Sequence, residues 1–347
     1  MSASSTQRGR LRIGVLGAAD IAARRMLPAF AASPDVELVA VASRDRDRAA
    51  ALAGPCGVDA VAGYAPLLDR SDVDAVYVPL PPALHARWVE AALLAGKHVL
   101  AEKPLTADAD TTARLVGLAV SRGLVLRENV MFVHHSQHAA VARLLAEGAI
   151  GEVRSLTATF TIPPRPAGDV RLDAALGGGG LIDTGVYPVH AALHLLGDGW
   201  RVAGAVRAPE DGLDLGGDAL LRGPGGVTAH LRFGIAHAYS SFYEIHGTTG
   251  RIRVEHAFTP PATAVPDVRL DGRPVPLEPD DQVGNAVAAF AAAAAHPTPP
   301  DVSVAAARLI DAIRTSSDPR GECSCDCSPT RRTRPSRSSV SATSGRA

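Results

Sequence analysis

Three side chains of this sequence have the types and spacing that proton transfer requires. Only two of the 35 lysine and arginine residues are lysines, and one of them, Lys103, lies in the stretch LAEKPLTAD directly before a proline. A lysine can release a proton near neutral pH where its surroundings lower its pKa, whereas an arginine cannot. Asp183 and Tyr187 lie in GGGGLIDTGVYPVH, and a helix there would bring them, with His190, near one face. Such a group can protonate an oxygen atom and bind hydroxyl groups.

Each of these residues also has an ordinary structural role open to it. Lys103 could be an exposed lysine at the end of a strand, where lysines are usually found. Asp183 could cap the N-terminus of the helix, alone or in addition to another role. Tyr187 could be a core tyrosine whose hydroxyl group is hydrogen-bonded. The elements that position the three residues bear on this choice.

Short apolar runs alternate with helical segments in the first half of the chain. This alternation predicts a doubly wound parallel sheet. The runs are LRIGVLG (Leu11–Gly17), VELVAVAS (Val36–Ser43), VDAVYVPL (Val73–Leu80), the stretch after Gly96, and LVLRENVMF (Leu124–Phe132). Lys103 follows the fourth of these strands, at the carboxyl edge where open α/β sheets bind ligands.

The turn after the first strand predicts a dinucleotide site. It matches the fingerprint G-x-G-x-x-G/A at Gly17 and Ala22, with Ala19 in place of the second glycine. Because the turn lies between a strand and a helix, it is placed to bind a pyrophosphate at the helix N-terminus. We therefore expect Gly17, Ala19, Asp20 and Ile21 to contact the dinucleotide.

The end of the second strand indicates which dinucleotide this is. Ser43 and Arg44 stand where NAD enzymes usually carry an acid that binds the ribose 2′-hydroxyl. A hydroxyl and a guanidinium suit a 2′-phosphate, although Arg44 could simply belong to the solvated run SRDRDR. We interpret the pair as favouring NADP(H). A lysine beside the nicotinamide ring of this cofactor, as Lys103 would be, could protonate a ketone oxygen as hydride reaches the carbon. The other residues expected at the cofactor are Leu80, Pro81, His85, Glu102 and Lys103, and Glu102 could also partner the Lys103 ammonium.

The pattern changes after about residue 133 and predicts a second domain. A helix and a strand are followed by GGVTAHLRFG, HAYSSFYEIHG and GRIRVEHAF, which predict antiparallel strands joined by glycine turns. This pattern is typical of an α+β domain with an open, mostly antiparallel sheet. We expect a Rossmann domain at 10–130, a substrate domain at 131–315 and a disordered low-complexity tail at 316–347. The CSCDC run of that tail is interpreted as part of an unstructured extension rather than as a metal site.

The motifs together resemble a known enzyme family. The first turn, AEKP and GGGGLIDTGVYPVHAALHLLG are similar to the glucose–fructose oxidoreductase, inositol dehydrogenase and MocA family. The lysine of its E-K-P motif matches Lys103, and its D-x-G-x-[HY] motif matches Asp183 to Tyr187. GAADIAARRMLPA, RENVMFVHHSQHAAV, FTIPPRPAGDVR and HAYSSFYEIHGTTGR resemble, more narrowly, the NDP-hexose 3-ketoreductases of deoxysugar biosynthesis.

This resemblance implies an activity and roles for the matched residues. Members of the subfamily use NADPH to reduce the C3 ketone of a dTDP-3,4-diketo-2,6-dideoxyhexose, for sugars attached to antibiotics and related natural products. Residues matching Lys103 and Tyr187 sit at the reacting carbonyl, so we expect Lys103 to be the general acid and Tyr187 its positioning partner, with the reverse assignment open. Asp183 would hold Lys103 or a sugar hydroxyl. The resemblance also implies a cis peptide bond between Lys103 and Pro104.

Five residues are expected to bind the substrate. Arg165, in the proline-rich loop PPRPAGDVR, would bind the diphosphate. Tyr239 and Tyr243 would stack on thymine, although Tyr243 lies on an alternating strand and could be a core residue. Asn129 and His190 complete the set.

Composition narrows the partners and the compartment. A net charge of −1 with 20% charged residues gives no sign of affinity for nucleic acid or membranes, and no apolar run reaches the length of a membrane span. The N-terminus lacks an apolar signal core, and only Cys56 lies outside the tail, so we expect a cytoplasmic protein. We expect no metal, and a homo-oligomer that is a dimer or a tetramer. Two other functions stay open, a free-sugar or polyol dehydrogenase and a cofactor-binding regulator without turnover.

Overall fold

The computed structural model describes residues 9–210, 213–296 and 302–316. The predicted tail at 316–347, with its cysteines, therefore lies outside the described residues apart from Ser316 itself. Within the described part of the chain, no helix has both the length and the apolarity that crossing a bilayer requires.

The first sheet has six parallel strands in the order β3-β2-β1-β4-β5-β6. The strands are β1 Leu11–Leu16, β2 Val36–Ser43, β3 Asp59–Ala62, β4 Ala75–Val78, β5 His98–Glu102 and β6 Leu126–Asn129. All four residues of β4 are buried, because helices cover both faces of such a sheet. The predicted doubly wound fold is confirmed. Strand β3 was not predicted, because this edge strand is partly exposed and lacks an apolar run.

Helices connect these strands and begin at recognisable residues. They are α1 Leu27–Ala32, α2 Arg46–Ala53, α3 Ala65–Leu68, α4 Pro82–Leu94 and α5 Ala109–Ser121. The side chains of Asp45 and Asp108 accept backbone N–H groups and so cap α2 and α5. Proline is the first residue of α4, where its fixed φ and missing N–H do no harm. A π-helical turn, Ala22–Met26, links the glycine turn to α1.

The second sheet has eight strands in the order β14-β13-β12-β11-β7-β10-β9-β8. They are β7 Val153–Thr161, β8 Arg201–Glu210, β9 Leu213–Arg222, β10 Thr228–Gly234, β11 Ser240–Gly247, β12 Arg251–Glu255, β13 Asp267–Leu270 and β14 Arg273–Pro274. Every neighbouring pair is antiparallel except β7 with β10, which is parallel. The predicted α+β organisation with a mostly antiparallel sheet is therefore confirmed.

Four more helices complete the described fold: α6 Ser136–Ala146, α7 Val186–Leu196, α8 Gln282–Ala295 and α9 Ser303–Ser316. Helices α7 and α9 bury apolar residues in one core with the inner face of the second sheet, where β11 contributes alternate residues such as Tyr243 and Ile245. Helix α8 instead packs Val287 and Phe290 in the core of the first sheet. The domain boundaries drawn from the sequence stay predictions. Helix α8 belongs by sequence to the predicted second domain, which begins at residue 131, but it packs against the first sheet.

Candidate active site

Lys103 lies directly after β5 and reaches the segment that leads into α7. Its Nζ donates to the backbone oxygen of Asp183 over 2.7 Å and to Asp183 Oδ1 over 2.9 Å. The two side chains are 13% and 16% exposed, so the ion pair is largely shielded from water. The cis peptide bond between Lys103 and Pro104, implied by the family resemblance, is confirmed. The structure thus brings together two residues far apart in the chain.

Both carboxylate oxygens of Asp183 are bound by cations. While Oδ1 accepts from Lys103, Oδ2 accepts from Arg171 Nε over 2.8 Å. Asp183 belongs to the π-helical turn Leu181–Gly185, whose first residues receive no side-chain cap, so the alternative role as N-cap is not what the structure shows. Turns of this kind are often found at functional sites. Sequence reasoning missed Arg171, although it lies in the quoted stretch FTIPPRPAGDVR.

Tyr187 packs its ring between the lysine and an aromatic wall. The Lys103 Nζ lies 5.0 Å from the centroid of the Tyr187 ring, a cation–π distance. On the protein side the ring contacts Phe160, Phe258 and Phe132, with centroid separations of 4.7, 5.7 and 6.0 Å. These three phenylalanines fix the ring. They were not predicted, because they come from separate elements and no local spacing connects them.

Burial and charge act in opposite directions on the pKa values of this cluster. Burial alone lowers the pKa of Lys103, but the Asp183 carboxylate, together with Tyr187, outweighs it and raises that pKa above its ordinary value. Burial would raise the pKa of Asp183, yet Lys103 and then Arg171 lower it. The pKa of Tyr187 is raised by burial, in spite of Lys103. The direction for Lys103 is opposite to the one invoked from the sequence, so the lysine keeps its proton at neutral pH.

The four glycines before Asp183 permit close backbone packing. A Cβ on Gly178 would lie 2.4 Å from the backbone oxygen of Arg171, and one on Gly179 would lie 2.5 Å from Asp214 Oδ1. Asp214 Oδ2 accepts the N–H of Leu181 over 2.9 Å, which fixes the start of the π-helical turn. The glycine run therefore presses the chain against these neighbours and sets the position of Asp183.

The predicted dinucleotide turn fits a bound pyrophosphate. Gly17 has φ +139°, and a Cβ there would lie 2.9 Å from Leu80 Cδ2, so only glycine suits this position. Its N–H donates to the oxygen of Ala42 over 2.9 Å, which holds the turn beside the end of β2. Ser43, the last residue of β2, and the exposed Arg44 therefore adjoin the turn. A ribose 2′-phosphate near them would meet a hydroxyl and a guanidinium.

The rest of the turn is open to a ligand. Ala19 and Ile21 are half-buried, while Asp20 is exposed and forms an ion pair with Arg24 one helical turn on. Pro81, half-buried, is the N-cap residue of α4. The contacts of these residues with a dinucleotide stay predictions.

Glu102 does not partner the Lys103 ammonium, contrary to one expectation. Its Oε1 accepts from the hydroxyl of the buried Tyr77 and from Asn129 Nδ2, each over 2.7 Å. Asn129 is only 3% exposed, and its Oδ1 has no hydrogen-bond partner among the described residues. A substrate role for Asn129 stays a prediction, and the structure places it beside Glu102 at the end of β6.

His85, which was expected to contact the cofactor, and His190, which was expected to bind the substrate, are both buried. The ring nitrogens of His85 lie 2.8 Å from the oxygen of Pro104 and 2.7 Å from that of Leu80. This fully buried ring joins the loops after β4 and β5, so His85 supports the loops that carry the site and does not line it. His190 is 2% exposed, and its Nε2 lies 3.4 Å from Glu128 Oε2. The idea that His190 faces the substrate is therefore wrong, because its ring points to that buried carboxylate.

The residues expected at the nucleoside diphosphate fall into two groups. Arg165 lies in the loop after β7, 37% exposed, with its Nε 3.0 Å from Asp169 Oδ2. Tyr239 is 47% exposed, and its ring is stacked on His256. Tyr243 is fully buried, and its hydroxyl lies 2.9 Å from His138 Nδ1. A role for Tyr243 in stacking on thymine is therefore wrong, because no part of its ring reaches the surface. Within the described ranges, no group of three or more histidine, cysteine and acidic residues is placed to hold a metal ion.

Comparison with known proteins agrees with this arrangement. The oxidoreductase family with an NAD-binding Rossmann fold matches residues 11–130, and the GFO/IDH/MocA C-terminal domain matches residues 138–253. A dTDP-3,4-didehydro-2,6-dideoxy-alpha-D-glucose 3-reductase from Streptomyces violaceoruber is 56% identical over 84% of this chain and 88% of its own. D-xylose 1-dehydrogenase (NADP(+)) 2 from Haloferax volcanii is 37% identical over 89% of this chain and 98% of its own.

A solved structure extends the similarity to three dimensions. The crystal structure of a 3-ketoreductase from Actinomadura kijaniata in complex with NADP and TDP-benzene superposes with a TM-score of 0.86 at 49% sequence identity. The match covers 89% of this chain and 98% of that one. With both family domains matched in order, the chain belongs to the GFO/IDH/MocA oxidoreductase family.

Proposed function

We propose that this protein reduces the C3 ketone of a dTDP-linked 3,4-diketo-2,6-dideoxyhexose with NADPH, giving a dTDP-4-keto-2,6-dideoxyhexose. The observation that carries the proposal is the Lys103 ammonium held by Asp183 beside the Tyr187 ring, at the sheet edge that also carries the dinucleotide turn. The names of the relatives from Streptomyces violaceoruber and Actinomadura kijaniata support the choice of substrate. The product suits later glycosylation of a natural product.

The residues of this chain supply the proton and the position of the ketone. When bound, NADPH supplies the hydride that turns the C3 carbonyl carbon into a carbinol carbon. Lys103 gives one proton to the C3 oxygen, which completes the hydroxyl group and leaves a neutral amine. The raised pKa keeps Lys103 protonated before the reaction, and the developing alkoxide is basic enough to take that proton. The hydroxyl of Tyr187 orients the ketone by hydrogen bonding.

Asp183 keeps the ammonium in place in this mechanism. The Asp183 carboxylate stabilises the charged lysine in a site that excludes most water. The backbone oxygen of Asp183 accepts a second N–H of the Lys103 ammonium. Because the ammonium is tetrahedral, fixing two of its N–H groups also fixes the direction of the third. We assign that third donor to the substrate oxygen.

Other residues are proposed to bind the phosphate groups of the cofactor and the nucleoside diphosphate of the substrate. Gly17, Ala19, Asp20 and Ile21 would line the cofactor pyrophosphate, and Ser43 with Arg44 would bind the 2′-phosphate. Arg165 and Tyr239 would bind the diphosphate and the thymine of the substrate, because both are exposed polar or aromatic groups. A cofactor preference for NADH would contradict the role of Ser43 and Arg44.

The test supplies the dTDP-3,4-diketo-2,6-dideoxyhexose and NADPH to wild type, Lys103→Ala and Tyr187→Phe, and follows NADPH consumption and the sugar product. We expect Lys103→Ala to reduce kcat by about 100-fold or more, as loss of a general acid does. Tyr187→Phe should lower kcat less. Wild-type rates in both variants would refute the assignment.

The Haloferax volcanii relative keeps a second candidate open, an NADP-dependent dehydrogenase of a free sugar. Such an enzyme has no need of a nucleoside diphosphate site. Thermal melting with dTDP and with D-xylose, each in the presence of NADP, separates the two. We expect stabilisation by dTDP alone, whereas stabilisation by D-xylose alone would favour the dehydrogenase. A regulator without turnover would bind NADPH but show no ketone-dependent oxidation.

Assembly and location complete the proposal. We expect a cytoplasmic protein. We also expect a dimer or tetramer, because alternate residues of β11 and β12 are not fully buried by the described residues and leave a face of the second sheet accessible. Light scattering coupled to size exclusion measures the assembly, and a monomer at micromolar concentration would contradict it.

A further inference from the structure

Arg171 lies one step behind the proposed proton donor and contacts it only through Asp183. The Nε of Arg171 donates to Asp183 Oδ2 over 2.8 Å, while Lys103 occupies Oδ1 at 2.9 Å. A carboxylate held on both oxygens cannot rotate, so the oxygen that faces Lys103 is set by the arginine. Arginine suits this position because its planar guanidinium donates along fixed directions.

Arg171 is itself held in place by Asp169 and by the glycine segment. Asp169 Oδ1 accepts both the backbone N–H of Arg171, over 3.0 Å, and its Nη1, over 3.1 Å. The backbone oxygen of Arg171 accepts from Gly179 over 3.0 Å, and Gly179 in turn accepts from the N–H of Asp183 over 2.9 Å. The arginine and the aspartate are therefore fixed to each other through side chains and through the backbone.

The charges alternate along this group. Lys103, Asp183, Arg171, Asp169 and Arg165 form a line of successive ion pairs that starts at the proposed proton donor. Each carboxylate lies between two cations, so Asp183 divides its attraction between Lys103 and Arg171. Arg171 lowers the pKa of Lys103, whereas Asp183 raises it. Loss of Arg171 would leave the whole attraction of Asp183 on the Lys103 ammonium.

We propose that Arg171 is a positioning residue for proton delivery, which fixes Asp183 against Lys103 and offsets the negative charge that retains the lysine proton. This inference rests on the proposed function of Lys103 as the proton donor. It adds a residue that touches neither that lysine nor, in the proposed mechanism, the reacting carbon.

The test measures kcat, KM for NADPH and the pH dependence of kcat for wild type, Arg171→Gln, Arg171→Lys and Lys103→Ala. We expect Arg171→Gln to lower kcat by about tenfold, because a carboxylate without its second partner positions the ammonium less well. The fall of kcat at high pH should move to higher pH, since the lysine holds its proton more tightly. The KM for NADPH should stay unchanged. Arg171→Lys retains a cation, so its high-pH limb should lie close to that of wild type.

The matched control is Arg154→Gln, which removes an exposed arginine whose partner, Glu152, lies 2.9 Å away. It should leave kcat and the pH profile unchanged. The proposal is overturned if Arg171→Gln matches wild type, or if it lowers kcat without moving the high-pH limb. Should Arg171→Gln fail to fold, Arg171→Lys decides alone: its kcat should fall, because an ammonium does not donate to Asp183 along the fixed directions of a guanidinium, and a wild-type kcat would overturn the proposal. Full activity of Lys103→Ala would instead refute the proposed role of Lys103 as proton donor, whatever Arg171 does.

Discussion

Two clusters of polar groups in this molecule, one partly buried and one fully buried, respond to burial in different ways. The Lys103 cluster consists of Lys103, Asp183 and Arg171, three charged groups held at the edge between the two sheets. The His138 cluster consists of His138, Tyr243 and the backbone oxygen of Ala257, in the core of the second sheet. In the first cluster the lysine, the aspartate and the arginine are all charged. In the second cluster the histidine and the tyrosine are neutral at physiological pH.

The His138 cluster is held by neutral hydrogen bonds. Since the oxygen of Ala257 can only accept, His138 Nε2 donates to it over 3.0 Å. Nδ1 then accepts from the hydroxyl of Tyr243 over 2.9 Å. Burial lowers the pKa of His138 to about 3, with His194 and His135 adding to the effect. The imidazole therefore stays neutral across the physiological range.

The difference shows what a neighbouring opposite charge does. Burial penalises an ion, and the penalty is met only where a counter-ion and hydrogen bonds replace water. Asp183 provides both for Lys103, and no carboxylate is among the groups that shift the pKa of His138. Hence a proton can be delivered at neutral pH from the first cluster, while the second contributes to folding. A titratable group deep in a protein is not by itself evidence of catalysis.

The largest expected effect comes from making the first cluster resemble the second. Asp183→Asn removes the negative charge but keeps the shape, so Lys103 loses its counter-ion in a shielded site. We expect kcat to fall by about 100-fold, within the range of general acid effects. The pKa of Lys103 should fall, because the carboxylate that does most to oppose the effect of burial is gone, and the high-pH limb of kcat should move to lower pH. A pH series of initial rates measures both.

The control for this substitution is Asp218→Asn, at an exposed carboxylate that pairs with Arg232 at 2.8 Å. It should change neither kcat nor the pH profile. If Asp183→Asn retained the wild-type limb, the pKa of Lys103 would not depend on Asp183, and the contrast between the clusters would be lost.

The next effect concerns stability, and it belongs to the second cluster. The folded pKa of His138 lies below the unfolded one, about 6.5, so the unfolded chain binds the proton first as pH falls. The contribution of this residue to the free energy of unfolding is therefore intact above about pH 6.5 and is lost progressively as pH falls toward about 3. Each pH unit in that window costs about 1.4 kcal/mol. His138→Gln should remove about 2 kcal/mol of the difference between pH 7.5 and pH 5.0 in urea unfolding.

Other buried histidines, such as His85 and His194, also have lowered pKa values, so only the difference between variant and wild type is informative. His230→Gln, at a half-exposed ring, serves as the control. An unchanged pH dependence in His138→Gln would mean that His138 takes up a proton in the folded state.

The sequence was a good guide to the elements whose signals are local. The apolar runs predicted five strands of the first sheet, and three glycine-bounded segments predicted β10, β11 and β12. Strand β3 was missed because its residues are partly exposed, and no strands were predicted for β8, β9, β13 and β14. The parallel pairing of β7 with β10 is set by long-range packing, which no local pattern shows.

At the site, residue types were easier to predict than partners. Lys103, Asp183 and Tyr187 were chosen from motif and spacing, and the structure places them together. The predicted pairing of Glu102 with Lys103 and the predicted contact of His190 with the substrate were wrong, because the side of an element that a residue faces depends on the neighbouring elements. Arg171 and the three phenylalanines around Tyr187 were missed for the same reason. The sequence showed the run of glycines before Asp183 but not the reason for it. The structure gives the reason, because Arg171 and Asp214 lie too close to this segment for a Cβ atom.

The smallest expected effect compares two tyrosines with different surroundings, the fully buried Tyr243 beside His138 and the partly buried Tyr187 beside Lys103. Tyr243→Phe removes the donor to His138 Nδ1 and leaves that buried nitrogen unpaired, so the free energy of unfolding should fall by about 1 kcal/mol. Its kcat and its KM for the dTDP-sugar should stay at wild-type values, because the ring is fully buried. At Tyr187 the same substitution should lower kcat and leave stability nearly unchanged. Urea unfolding and steady-state rates on both variants test this, and a raised KM for the dTDP-sugar in Tyr243→Phe would return Tyr243 to the substrate site.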